Sequence, residues 1–99
     1  MVDTEITPAL KDAIETVIRQ ELGRFGIAQV EAIGTEDHDG DPVIRVLVHY
    51  SHADAEPDPK VASETITKLN DRLFELKEPR FAYISHDVPE VVRRRRGRP

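Results

Sequence analysis

The sequence predicts an α+β fold: a two-layer α-β-β-α-β sandwich in which both helices lie on one face of a three-stranded mixed sheet. Three observations predict it. Two segments carry apolar residues at spacings of three and four, three others alternate with a period of two, and capping or turn residues separate them.

Thr7-Pro8 opens the first helix, because a threonine hydroxyl caps exposed N–H groups and proline is tolerated at the first helical position. Leu10, Ala13, Ile14, Val17, Ile18 and Leu22 then form one apolar stripe, which Gly23 and Gly26 end. From Ile27 to Thr35 the pattern suits a strand with Val30 and Ala32 inward and Gln29 and Glu31 outward. Asp39-Gly40 predicts a two-residue turn. Val43 to Tyr50 is the clearest strand, with Ile44, Val46, Val48 and Tyr50 on one side and Val43, Arg45, Leu47 and His49 on the other. Asp58-Pro59 starts the second helix, whose expected buried face is Ala62, Ile66, Leu69, Leu73 and Leu76, and Pro79 stops it. Arg80 to His86 is the last strand, with Phe81 and Tyr83 on one side and Ala82 and Ile84 on the other.

A helix between the second and third strands is a crossover, so those strands should run parallel. With both helices on one side, the other face should carry Arg45, Leu47, His49 and one of the two last-strand aromatics. Such a face invites a partner.

The chain is sized for one domain, residues 1–92, followed by a basic tail, residues 93–99, expected to be disordered. With a 38% apolar fraction and no Trp, the core must come from Val, Ile, Leu and Ala. The absence of cysteine excludes disulfides and thiolate chemistry. No stretch approaches the roughly 18–20 apolar residues of a membrane span, and the first ten residues lack the apolar run of a secretory signal, so the expected setting is the cytoplasm, away from membranes. The formal charge of −5 conceals a separation: residues 1–92 hold all nineteen acidic groups against nine Lys and Arg, leaving −10, and the tail holds five arginines. An acidic body repels phosphate backbones, so a nucleic-acid role would rest on the tail.

The order helix, hairpin, helix, strand over Pro8 to Asp87, with Asp41-Pro42-Val43-Ile44-Arg45-Val46-Leu47-Val48 and Pro79-Arg80-Phe81-Ala82-Tyr83-Ile84 as its second and third strands, resembles the plan of ribosome-binding factor A, type II KH domains and BolA-like proteins. The resemblance implies the same small α+β fold and raises contact with RNA or the ribosome as an expectation. KH domains grip RNA through a Gly-x-x-Gly loop between helices, whereas Gly23-Arg24-Phe25-Gly26 leads from a helix into a strand. The BolA-like metal site uses Cys or a particular His, and this chain has no Cys.

Three constellations bear on chemistry. Asp37, Asp39 and Asp41 alternate as in a calcium loop, but the sixth position is Pro42, where glycine is needed, and the twelfth is Val48, where glutamate is needed. A solvated hairpin tip is the simpler reading. His49, His52 and His86 offer imidazoles for a metal-binding alternative, with His49 and His86 near each other if the second and third strands pair; a transition-metal site needs three or four convergent ligands. Ser51-His52 and Ser85-His86 do not make catalytic dyads, because adjacent residues on a strand point to opposite faces. Arg93, Arg94, Arg95, Arg96 and Arg98 form an arm for phosphate without aromatics for base stacking.

No catalytic or cofactor signature emerges, so neither a catalytic group nor a cofactor is expected. The reading that follows is a non-enzymatic accessory module that binds another protein or a second copy of itself, through Arg45, Leu47 and His49 or through a strand edge. An RNA-binding or ribosome-associated factor using the arginine tail is the alternative.

Overall fold

The computed structural model describes residues 5–52, 55 and 57–89, and the arginine tail lies outside them. In chain order the elements are α1 (Pro8–Leu22), a short 3₁₀ turn (Gly23–Phe25), β1 (Ile27–Glu36), β2 (Pro42–Tyr50), α2 (Pro59–Glu75) and β3 (Phe81–Asp87). The strands form one sheet in the order β1-β2-β3, with β1 antiparallel and β3 parallel to β2. The expected α+β architecture is the observed one.

Both helices begin as their sequences dictate. Thr7 Oγ1 accepts the Leu10 N–H at 3.1 Å and Asp58 Oδ1 accepts the Lys60 N–H at 2.8 Å, with proline following each cap. After α1 the chain turns through Gly26 at φ 83°, where a side chain would also meet His52 Cδ2 at 3.2 Å. α2 ends ahead of Pro79 in a Schellman motif: Lys77 sits at φ 62°, the Glu78 N–H donates to the Leu73 carbonyl at 2.9 Å, and the Lys77 N–H donates to Phe74 at 3.0 Å.

The core lies between the helices and one face of the sheet. Ile14, Ile18 and Leu22 of α1, Leu69 and Leu73 of α2, Val30 of β1, Ile44, Val46, Val48 and Tyr50 of β2, and Ala82 of β3 are all buried in a single cluster. Each such large aliphatic side chain contributes about 1.5–3 kcal/mol by leaving water.

The α2 stripe departs from expectation in two places. Leu76 is 42% exposed, because the helix closes at Glu75 and the motif that ends it carries Leu76 past the core. Thr65 is fully buried instead. Its hydroxyl donates to the Val61 carbonyl of its own helix at 2.8 Å, which satisfies the buried donor.

The hairpin also departs. A loop of residues 37–41 joins β1 to β2, not a two-residue turn, because the ladder closes at the pair Glu36–Pro42. Asp37 organises that loop: its Oδ1 accepts the N–H groups of Asp39 at 2.9 Å and Asp41 at 3.0 Å, and its main chain pairs with Gly40 and Asp41. Gly40 takes the positive φ of 87° that the loop needs.

Candidate functional site

Period-two alternation in β2 sends Ile44, Val46, Val48 and Tyr50 to the helices, and therefore Val43, Arg45, Leu47 and His49 to the other face. The register completes that face. Thr35, Ile33, Glu31 and Gln29 of β1 lie beside Val43, Arg45, Leu47 and His49, and Phe81, Tyr83, Ser85 and Asp87 of β3 lie on the other side. No described segment covers it. Both last-strand aromatics are on this face, where only one was expected, since residues two apart on a strand share a side.

The face divides into two halves along the strands. In the apolar half Ile33, Phe81 and Tyr83 are 44%, 45% and 50% exposed, and the two rings meet edge to face with centroids 4.9 Å apart. Arg45 sits between Ile33 and Tyr83 on its neighbouring strands. Among the described residues it makes no hydrogen bond or ion pair. Its guanidinium is thus an unmatched cation among exposed apolar groups.

In the polar half His49 is held by carboxylates from both flanking strands. Its Nδ1 lies 2.8 Å from Asp87 Oδ2 and its Nε2 lies 2.5 Å from Glu31 Oε2. Asp87 first, and Glu31 second, raise its pKa above the ordinary 6.5, because both oxygens accept from the protonated ring. With both nitrogens donating, the imidazolium spans all three strands. It leaves no ring nitrogen to take a proton from Ser85, which shares the face.

The other histidines lie elsewhere. His86 pairs in register with Val48 and so faces the helices, where its Nδ1 meets the Tyr50 hydroxyl at 2.7 Å. Burial pushes the Tyr50 pKa up to about 12, so this hydroxyl stays protonated. His52 follows β2 and packs beside Gly26. The expectation that His49, His52 and His86 could converge on a metal therefore fails: strands β2 and β3 do pair, but their register puts His49 and His86 on opposite faces. Among the described residues the only group of three or more potential ligands is Asp37, Asp39 and Asp41, whose oxygens lie within 4.8 Å of one another. One Asp37 oxygen is already committed to the loop's own N–H groups.

No family model, curated protein or solved structure matches this chain. The resemblance to ribosome-binding factor A, KH domains and BolA-like proteins rests on element order and two strand segments, and a likeness of that kind does not transfer a function.

Of the predicted contact residues, Arg45, Leu47 and His49 do share the uncovered face, with Leu47 half-buried between Glu31 and Ser85. Sequence reasoning missed Ile33 and the second aromatic, although the spacing of Phe81 and Tyr83 already carried that signal. It also missed Glu31 and Asp87 as the partners of His49. Those depend on the register of two strand pairs, which no local spacing encodes. The arginines 93–96 and 98 fall outside the described residues.

Proposed function

We propose that this chain is a non-enzymatic accessory module that holds another protein on the open face of its sheet. One observation carries the reading: Ile33, Phe81 and Tyr83 stand exposed on a sheet face that no described segment covers, around an Arg45 without a partner among the described residues. Aromatic and arginine side chains are the commonest anchors of protein interfaces, since they combine large apolar area with a directional charge. The charge also names the partner's chemistry. A carboxylate flanked by apolar side chains satisfies Arg45 and covers Ile33 and Tyr83 together. The cytoplasm is the compartment this reading expects. No helix among the described residues is long and apolar enough to cross a membrane.

The test compares proteins captured by the purified chain with those captured by Tyr83→Ala and Arg45→Glu variants, after circular dichroism shows that both fold. The expected result is a partner lost from both variants and retained, at least in part, by Arg45→Lys. A captured set indifferent to both substitutions defeats the reading.

A second reading, contact with RNA, is favoured by the five arginines of residues 93–98 and by the exposed rings of Phe81 and Tyr83. The charge of the face weighs against it. Glu31 and Asp87 offset His49, and Arg45 is the face's one remaining cation, whereas strands that bind single-stranded RNA pair their aromatics with a positive groove.

A further inference from the structure

The sheet has two outer edges, and the chain treats them differently. On β3 the side-chain amide of Asn70, from α2, acts as a short mock strand. Its Nδ2 donates to the Ala82 carbonyl at 3.0 Å and its Oδ1 accepts the Ala82 N–H at 2.8 Å. The main chain of Ala82 thus faces away from β2 and is already paired. By the same alternation the outward main-chain groups further along β3 are those of Ile84 and His86, so the guard is centred on Ala82.

β1 has no such guard. Pro42 lacks an N–H, so its pairing with Glu36 is a non-hydrogen-bonded one, and alternation along an antiparallel ladder makes Gly34–Ile44, Ala32–Val46 and Val30–Val48 non-hydrogen-bonded as well. The N–H and C=O groups of Val30, Ala32, Gly34 and Glu36 therefore point outward. Nothing among the described residues accepts or donates there. From Ile27 to Glu36 the strand contains no Lys, Arg or Pro, the residues that usually protect an edge, and its one bulge lies at the far end, between Ile27 and Gln29.

We infer that β1 pairs with β1 of a second copy, antiparallel about a two-fold axis at Ile33, to make a continuous six-stranded sheet. Charge and hydrogen bonding select both the occupant and the register. Because the outward groups lie on even-numbered residues, the axis must pass through a residue and not between two. An axis at Glu31 sets Glu31 against its own copy, and one at Gly34 sets Glu31 against Asp37, in both cases like charges face to face. An axis at Ala32 calls on Ala28, beside the bulge, and retains about six main-chain bonds. The axis at Ile33 forms about eight, pairing Ala32 with Gly34 and Val30 with Glu36. It places the exposed Ile33 against itself, Glu31 against Thr35 and Gln29 against Asp37, with no like charges opposed. On the helix side the small Ala32 and Gly34 let the backbones approach.

This inference uses main-chain groups at an edge and is independent of the docking reading, which uses side chains on the open face. If both hold, the dimer lays two docking faces side by side. Pairing along one short strand buries less than the roughly 800 Å² per partner of a standard interface, so the dimer should appear only at about 10–100 μM protein. Each copy carries −5, so added salt should strengthen it.

The test is light scattering of the full chain across that concentration range, together with single-cysteine cross-linking. The native chain has no cysteine, so each introduced thiol reports alone. In the proposed register the two residues 33 face each other with Cα atoms about 4.5 Å apart, within disulfide range. Ile33→Cys should give a covalent dimer under copper–phenanthroline, Glu31→Cys and Thr35→Cys should do so only when mixed, and Ile33→Lys should leave a folded monomer. A chain that stays monomeric throughout overturns the inference. So does a dimer that survives Ile33→Lys, or one that cross-links best from 31 or 35 alone. A dimer retained by Tyr83→Ala and Arg45→Glu, the variants that test docking, separates the two readings.

Discussion

His49 ties the three strands together at the level of a single residue, and its chemistry makes the tie pH-dependent. The carboxylates of Asp87 and Glu31 raise its folded pKa above the ordinary 6.5. The stabilisation is therefore fully present below pH 6.5 and is lost as the pH rises through the raised native value. Nuclear magnetic resonance titration of the ring should give a midpoint above 6.5. Asp87→Asn should lower that midpoint more than Glu31→Gln, since Asp87 is the larger cause. A midpoint at or below 6.5 in the unmodified chain would show that the ring is not clamped as described. Both ring nitrogens are engaged, so the same residue that looked like a metal ligand in the sequence is held as a cation, which metals avoid.

Among the elements, β3 depends most on its neighbours. It lies at an edge, it is short, and Asn70 of α2 supplies the hydrogen bonds that a fourth strand would have given at Ala82. Asn70→Ala should cost about 1–3 kcal/mol in urea denaturation, because a buried residue's N–H and C=O lose their partner. It should also raise self-association, since the second edge is then open. Unchanged stability and unchanged light scattering would mean that water replaces the amide without loss. At this scale the sequence was largely readable. The caps at Thr7 and Asp58, the stripe from Leu10 to Leu22 and the alternation from Val43 to Tyr50 each state an element in local terms, and each is found where expected. The exposure of Leu76, the burial of Thr65 and the loop that replaced the Asp39-Gly40 turn were not readable. The first two depend on where α2 closes against the sheet. The loop depends on Asp37, which takes up the N–H groups of Asp39, Gly40 and Asp41 once the β1–β2 ladder has ended at Glu36 and Pro42. For the same reason the apolar half of the open face was only half legible: local alternation gives the sides of a strand, but the parallel register of β2 and β3 fixes which side chains stand next to Arg45.

Across the whole molecule, charge is divided between an acidic body and a basic end. Removing residues 93–99 takes the formal charge from −5 to −10, and the shortened chain should not retain single-stranded RNA on a filter at 50 mM salt. If the full chain does bind and all five arginines meet phosphates, its affinity should fall with a log–log salt slope of about −3.5 to −4.5. Retention by the shortened chain would move the RNA reading from the tail to the open face. Topology has a consequence of another kind. β2 is the middle strand, yet its second neighbour is the last element of the chain, reached only after α2 has been made. During synthesis the nascent protein therefore carries a half-dressed central ribbon, bonded to β1 on one flank and bare on the other, until Phe81 to Asp87 leave the ribosome. Any shortening of the chain that removes Phe81 to Asp87 would leave that flank bare for good.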